Sequence, residues 1–399
     1  MTTNQNEGKG ADKQVAKTPA QEREERILKY WKENDIFRKS VEREAPRGKF
    51  VFYDGPPFAT GLPHFGHVLP TSIKDAVPRY KTMQGYSVRR RWGWDCHGLP
   101  VENLIEKELG LKSKKDIIDF GVKKFNLAAR NAVHRYVNDW KEIIPRLGRW
   151  ADMENDYETM NSSYTESVWW AFSELHKKGL VYEGFKPMQI CPHCETTLSN
   201  FEVAQGYKDI KDISVYVNFE LADEPGTYFL AWTTTPWTLP GNVALAVGKD
   251  IDYAKVKSKD VLFILAKERL DSTFKKEAYE IVAEMKGSDL VGKSYKPLFD
   301  YYSKDASLKG KENGWKVYAA DFVTTTDGTG IVHIAPAFGA DDYALGQREN
   351  LPFVQHVNVD GTFKNEVTDF AGLKVKPKDT PEDKDAHLRT DIKVIQWLQ

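Results

Sequence analysis

A chain of 399 residues exceeds the usual size of one hydrophobic core, so at least two domains are expected. Apolar residues at 41% and charged residues at 29% exclude a largely disordered protein, and 57 Lys plus Arg against 58 Asp plus Glu exclude a global basic field for nucleic acid. The longest apolar runs, such as Val261 to Ala266, are too short to span a bilayer, the first twenty residues hold no signal-peptide core, and three cysteines cannot build a disulfide framework; a cytoplasmic protein with no membrane partner is expected.

Residues 1–18, polar and without periodicity, read as a disordered tail. Over 19–48, Ile27, Tyr30, Trp31 and Ile36 recur at helical spacing and predict one amphipathic helix from Gln21 to about Val41. Phe50 to Tyr53 reads as a strand, stopped by Asp54-Gly55-Pro56-Pro57 and followed by a helix from Gly66 towards Gly85. A second strand, Tyr86 to Trp92, ends in Gly93-Trp94-Asp95-Cys96-His97-Gly98; helical patterns then run from Val101 to about Leu147 and from Tyr164 to Lys178, stopped by Gly179. Strands alternating with helices predict an α/β fold with a doubly wound parallel sheet over 49–187. Beyond a connector at 188–206 the pattern turns to short β-rich segments, Ile213 to Leu221, Tyr228 to Trp232, Val243 to Val247, Val261 to Leu265, Val317 to Val323 and Gly330 to Ala335, so a mostly β domain is expected over 207–399.

Ligands of open parallel sheets sit beyond the carboxyl ends of strands, where helix N-termini offer free N–H groups to phosphate. The loop Asp54 to His67 lies in that position. Its glycines admit close approach of the backbone, and His64 and His67 can hydrogen-bond phosphoryl oxygens; a Pro/Gly-rich turn with two surface histidines reads equally well from these residues alone. Asp95 is placed to hold an ammonium group or to cap its own loop. Cys191-Pro192-His193-Cys194 has zinc-knuckle spacing, but a closed site needs four ligands and no second pair follows, so a zinc half-site, a redox pair and an incidental pair all stay open. Trp232 to Asn242 gathers hydroxyls and an amide at a strand end, as a β-edge turn also would. Gly328 to Asp342 is a strand and a loop that opens a helix with two acids, which simple capping by Asp341 or Asp342 would explain.

Pro63-His64-Phe65-Gly66-His67 resembles the HIGH signature of class I aminoacyl-tRNA synthetases, with Phe65 at the usual aliphatic position. Tyr53 to Gly61 and Gly93 to Glu102 are similar to neighbouring blocks of the isoleucine, valine and leucine members. Thr233-Thr234-Thr235-Pro236-Trp237-Thr238-Leu239-Pro240-Gly241-Asn242, together with Gly328 to His333 and Gly339 to Asp342, favours the isoleucine branch, and the similarity covers roughly residues 20 to 399. The resemblance implies the first half of a Rossmann-type catalytic domain followed by an inserted editing domain, truncated near its exit. It implies isoleucine-tRNA ligase activity, in which ATP with Mg2+ converts isoleucine to the adenylate for transfer to tRNA(Ile), and hydrolysis of mischarged valyl-tRNA(Ile). Catalysis then falls to His64 and His67, and ATP binding to these with Gly55, Pro57 and Gly66. Pro56 and Asp95 would bind the amino acid. Editing would belong to Thr233, Thr234, Thr235, Thr238, Asn242, His333 and Asp342. Cys191 and Cys194 would be half of a Zn2+ site that a second pair completes after the inserted domain. A monomer is expected. A lysine-bearing activation loop and an anticodon-binding domain are not visible in these residues, so the chain alone is expected not to aminoacylate. Valine or leucine enzymes, and a module that only binds tRNA or clears mischarged tRNA, are the alternatives.

Overall fold

Residues 17–399 are described by a computed structural model, in which the chain divides between Tyr182 and Glu183 into two units. Most of the expected tail, residues 1–16, lies outside the described residues. Thr18 already does structural work: its side chain accepts from the Gln21 N–H at 3.2 Å and caps α1 (Pro19–Glu33), which opens on a proline that has no N–H to lose. The single helix expected here is two. Asp35 takes a left-handed conformation at φ 52° and separates α1 from α2 (Ile36–Glu42). Trp31 anchors α1 edge-on against Trp150, over which the Arg79 guanidinium also sits at 3.7 Å.

Phe50 to Tyr53 form no regular strand. The segment nonetheless runs parallel to the chain that follows it, through bridges at Lys49–Ser87 and Phe58–Asp95. Pro56 and Pro57 have no N–H to give, so a continuous ladder cannot develop between those two bridges. Next come α3 (Phe65–Met83) and the four-residue β1 (Arg91–Trp94), shorter and later than the strand expected at Tyr86 to Trp92. The long helical stretch is four helices, α4 (Leu99–Leu109), α5 (Lys114–Phe120), α6 (Val122–His134) and α7 (Val137–Arg146). β2 (Asp152–Glu158), too polar to read as a strand, pairs parallel with β1, and α8 (Ser162–Lys177) follows. Gly93 leaves room in β1 for the Tyr157 ring of β2, which lies where a Cβ would stand. Trp94, Trp140, Ile144 and Val101 close the core beneath this pair. Among the described residues the expected doubly wound sheet is thus represented by one parallel ladder and two bridges.

The second unit begins with a minimal hairpin, β3 (Ile190–Cys191) and β4 (Thr196–Thr197), and α9 (Asn200–Gly206), which Ser199 and Glu202 cap reciprocally. Then follow β5 (Val215–Glu220), β6 (Thr227–Thr233), β7 (Ala244–Val247), β8 (Asp252–Ser258), β9 (Val261–Ala266), α10 (Leu270–Phe274), β10 (Glu280–Lys286), α11 (Gly287–Leu290), β11 (Lys316–Ala319), β12 (Ile331–Ile334), α12 (Ala340–Arg348) and α13 (Arg389–Leu398). Five strands form one sheet in the order β10-β8-β9-β6-β5, and three form another in the order β11-β7-β12. Every residue of β7 is buried, which explains why it reads as an unbroken apolar run rather than an alternating one. Phe219, Phe229, Leu245, Tyr253 and Phe363 fill the principal core. Gly330 precedes β12 at φ 73°, where a Cβ would meet the Ala266 Cβ at 2.5 Å, so both conformation and space call for glycine.

Candidate active sites

In the first unit, His64 stands immediately before α3 and the two histidines cap the helix between them. The Gly66 N–H donates to His64 Nδ1 at 3.1 Å, and the His64 N–H donates to His67 Nδ1 at 3.2 Å. An Nδ1 that accepts leaves the proton of a neutral imidazole on Nε2. Each ring therefore keeps an N–H donor free of the cap. The rings lie 3.9 Å apart, and His67 abuts Trp140 edge-on at 4.9 Å. Burial, and secondarily His64, hold the His67 imidazole below its ordinary pKa, which favours the neutral ring at physiological pH.

Beside this cap lies a cleft of about 170 Å³ to which Gly55, Pro56, Pro57 and His67 contribute. Trp140 fastens the loop by donating its indole N–H to the Gly61 carbonyl at 2.8 Å. Two cations were not legible from spacing: Lys74 and Arg149 reach Asp54 at 2.6 and 2.5 Å, and Lys74 also donates to the Gly55 carbonyl at 3.0 Å. A carboxylate in a glycine-rich loop needs partners, but those partners come from α3 and from a residue 95 positions away. His64 and Gly66 are exposed and outside the lining of the cleft. Asp95 is also outside the lining, yet its backbone N–H donates to the Pro57 carbonyl at 2.9 Å, which ties the two strand-end blocks together.

In the second unit, Cys191 and Cys194 hold their Sγ atoms 3.2 Å apart in the β3–β4 hairpin. No group of three or more His, Cys, Asp or Glu able to hold a metal occurs among the described residues, so two thiols do not make the closed tetrahedral set that structural zinc requires.

The threonine-rich block leaves the end of β6 and turns through a short 3-10 helix, Pro236–Gly241. Opposite it, β12 brings His333 and the first turn of α12 brings Asp342. Thr233, Thr234, Thr235, Thr238, His333 and Asp342 line one cleft of about 380 Å³. Thr235 Oγ1 lies 3.3 Å from Thr233 Oγ1 and 3.2 Å from Thr238 Oγ1, and Thr238 Oγ1 lies 2.8 Å from His333 Nε2. Asn242 is placed behind the cleft rather than in its wall, with its amide 3.2 Å from His333 Nδ1. Burial pushes His333 down to about 4, and the neighbouring His356 adds to that effect; the ring is neutral across the physiological range. Asp342 accepts from the Ala335 N–H at 2.9 Å, but burial prevails and lifts its carboxyl to about 6. Among the described residues no cation pairs with this carboxyl. It is electrostatically prepared for an ammonium group.

Two bacterial proteins named isoleucine–tRNA ligase are each 50% identical to this chain, that of Treponema denticola over 386 residues and that of Bdellovibrio bacteriovorus over 362, covering 89% of the chain and about a third of each relative. The cytoplasmic isoleucine–tRNA ligase of Mus musculus is 48% identical over 366 residues, 28% of its own length. The chain therefore spans about a third of the length of the curated relatives it matches. The family model for class I tRNA synthetases of the isoleucine, leucine, methionine and valine group matches residues 26–361, more than four-fifths of the sequence, and the chain belongs to that family.

Proposed function

We propose that these residues serve an isoleucine-tRNA ligase in two capacities, nucleotide-dependent activation of isoleucine in the first unit and hydrolytic proofreading of valyl-tRNA(Ile) in the second. The observation that carries the proofreading half is the single cleft shared by the threonine block, neutral His333 and the carboxyl of Asp342, which burial holds at about 6.

For activation, the parallel ladder of β1 and β2 belongs to a doubly wound nucleotide-binding sheet. The Nε2 donors of His64 and His67 face the phosphates of ATP, which brings its own Mg2+, and strengthen as charge builds on the α-phosphoryl group when the isoleucine carboxylate attacks. Gly55, Pro57 and Gly66 let the backbone approach the nucleotide. Pro56 lines the amino-acid pocket, and the Asp95 carboxylate holds the substrate ammonium. With one two-stranded parallel ladder, these residues alone are expected not to complete aminoacylation.

Proofreading is needed because one methylene in an apolar pocket is worth about 1–3 kcal/mol, the isoleucine–valine pair being the well-known instance of that limit. Asp342 pairs with the ammonium of the misattached valine. The hydroxyls of Thr234 and Thr235 hold the ester and the water. His333 takes no proton at neutral pH, so rate comes from placement of water rather than from its deprotonation. The test is deacylation of labelled valyl-tRNA(Ile) and isoleucyl-tRNA(Ile) by the 399-residue chain and by its Asp342→Ala variant. Release selective for valine and lost on substitution is expected; equal release of both amino acids, or release that survives the substitution, would sink the proofreading reading.

A further inference from the structure

Tyr295 belongs to neither sequence block of the proofreading cleft and lines no part of it, yet it is only 2% exposed and its hydroxyl donates to Asn242 Oδ1 at 2.6 Å. Burial raises that hydroxyl's pKa well above the ordinary tyrosine value, so it stays a proton donor. The other end of the same amide is engaged too, since Asn242 Nδ2 donates to the Ala244 carbonyl at 2.9 Å. A carbonyl can only accept and this hydroxyl needs an acceptor, so both ends of the amide are specified and its orientation is fixed. That leaves an N–H of Asn242 directed at His333 Nδ1, 3.2 Å away.

We infer that Tyr295 is a positioning residue for the proofreading site, acting through Asn242 to lock His333 in the neutral tautomer with its proton on Nε2. The inference rests on the proofreading reading only for what the lock is used for. Because His333 Nδ1 receives the amide N–H, the ring proton must reside on Nε2, where it meets Thr238 Oγ1 at 2.8 Å. Thr238 spends its own proton on the Thr235 carbonyl, also at 2.8 Å. Thr238 is thereby held as an acceptor, and the Thr235 hydroxyl is the one left to turn among Thr238, Thr233 and a ligand in the cleft. The direction of every donor in this line is set from the buried Tyr295 end. No proton is transferred along it, so it imposes orientation rather than acting as a relay.

The experiment uses the 399-residue chain labelled with 15N at histidine, His333 being assigned by the signal lost in His333→Gln. In the wild type the His333 ring is expected to show a protonated Nε2 and a bare, hydrogen-bonded Nδ1. In Tyr295→Phe the Nδ1 signal should lose its hydrogen-bond shift and broaden, while kcat for valyl-tRNA(Ile) hydrolysis falls about tenfold and KM stays within about twofold. A protonated Nδ1 in the wild type would overturn the inference, and this reading needs no variant to fold. So would a Tyr295→Phe chain with unchanged His333 nitrogens and unchanged kcat. Nitrogens as expected in a wild-type chain that hydrolyses neither aminoacyl-tRNA would support the lock and overturn the proofreading reading alone.

Discussion

Asp342 is a buried carboxyl of the second unit whose protonation depends on folding. Its carboxyl sits at about 6 in the folded chain against an ordinary 3.8, so folding favours the protonated acid. Below pH 4 both states are protonated and no penalty exists; it grows between pH 4 and 6 and is complete above that. Asp342→Asn removes the ionisable group and should raise the unfolding free energy by roughly 3 kcal/mol at pH 8 while leaving it nearly unchanged at pH 3.5, as followed by urea denaturation at each pH. Valyl-tRNA hydrolysis by the wild type should decline as pH falls through 6, because the neutral acid no longer pairs with an ammonium. The paired histidines at the head of α3 make a different demand. In a full-length ligase that carries this sequence, His67→Ala should lower isoleucine-dependent pyrophosphate exchange by about 10² or more, the scale of a lost transition-state donor. His67→Ala also removes one half of the cap, so a companion melting curve separates lost chemistry from a frayed helix; exchange at wild-type rate would remove His67 from the chemistry altogether.

At the scale of elements, Tyr253 shows how the two sheets of the second unit are pinned. Its hydroxyl donates to the Gly330 carbonyl at 2.6 Å and accepts from the Gly248 N–H at 3.1 Å, joining β8 to the turn before β12. Tyr253→Phe leaves both backbone groups buried without that partner and should cost about 1–3 kcal/mol in chemical denaturation with little change in m-value. Six of the eight named strands from β5 onward were readable, because β5, β6, β7, β9, β11 and β12 are carried by apolar or β-branched runs. β8 and β10 were not: Lys255 and Lys257, like Glu280 and Glu284, interrupt the apolar pattern, and β10 lies at a sheet edge where its side chains meet water. β2 was missed for the same reason, since Asp152, Glu154, Asp156 and Glu158 give no strand signal and only pairing with β1 makes it one. The threonine block, His333 and Asp342 were legible because short sequence blocks carry them. Tyr295, Lys74 and Arg149 were not, because their relation to the sites exists only after distant segments fold together.

Across the whole molecule, the two units differ in how well their apolar residues are covered. Phe65, Leu69, Ile73 and Tyr80 project from α3 into solvent, as do Trp169, Trp170 and Phe172 from α8, whereas β7 has no exposed residue. Hydrogen exchange followed by mass spectrometry should therefore show 162–178 exchanging early and 243–247 last; equal protection of the two segments would contradict this ordering. Under the proofreading reading, the buried carboxyl of Asp342 also bears on the accuracy of translation. Acidification from pH 7 to pH 6 takes a group with pKa about 6 from roughly one-tenth to roughly one-half protonated. Given the proofreading assignment, acid stress would then loosen the meaning of isoleucine codons, with valine entering the proteome at those positions more often, and internal acidity would become a dial on the fidelity of the genetic code.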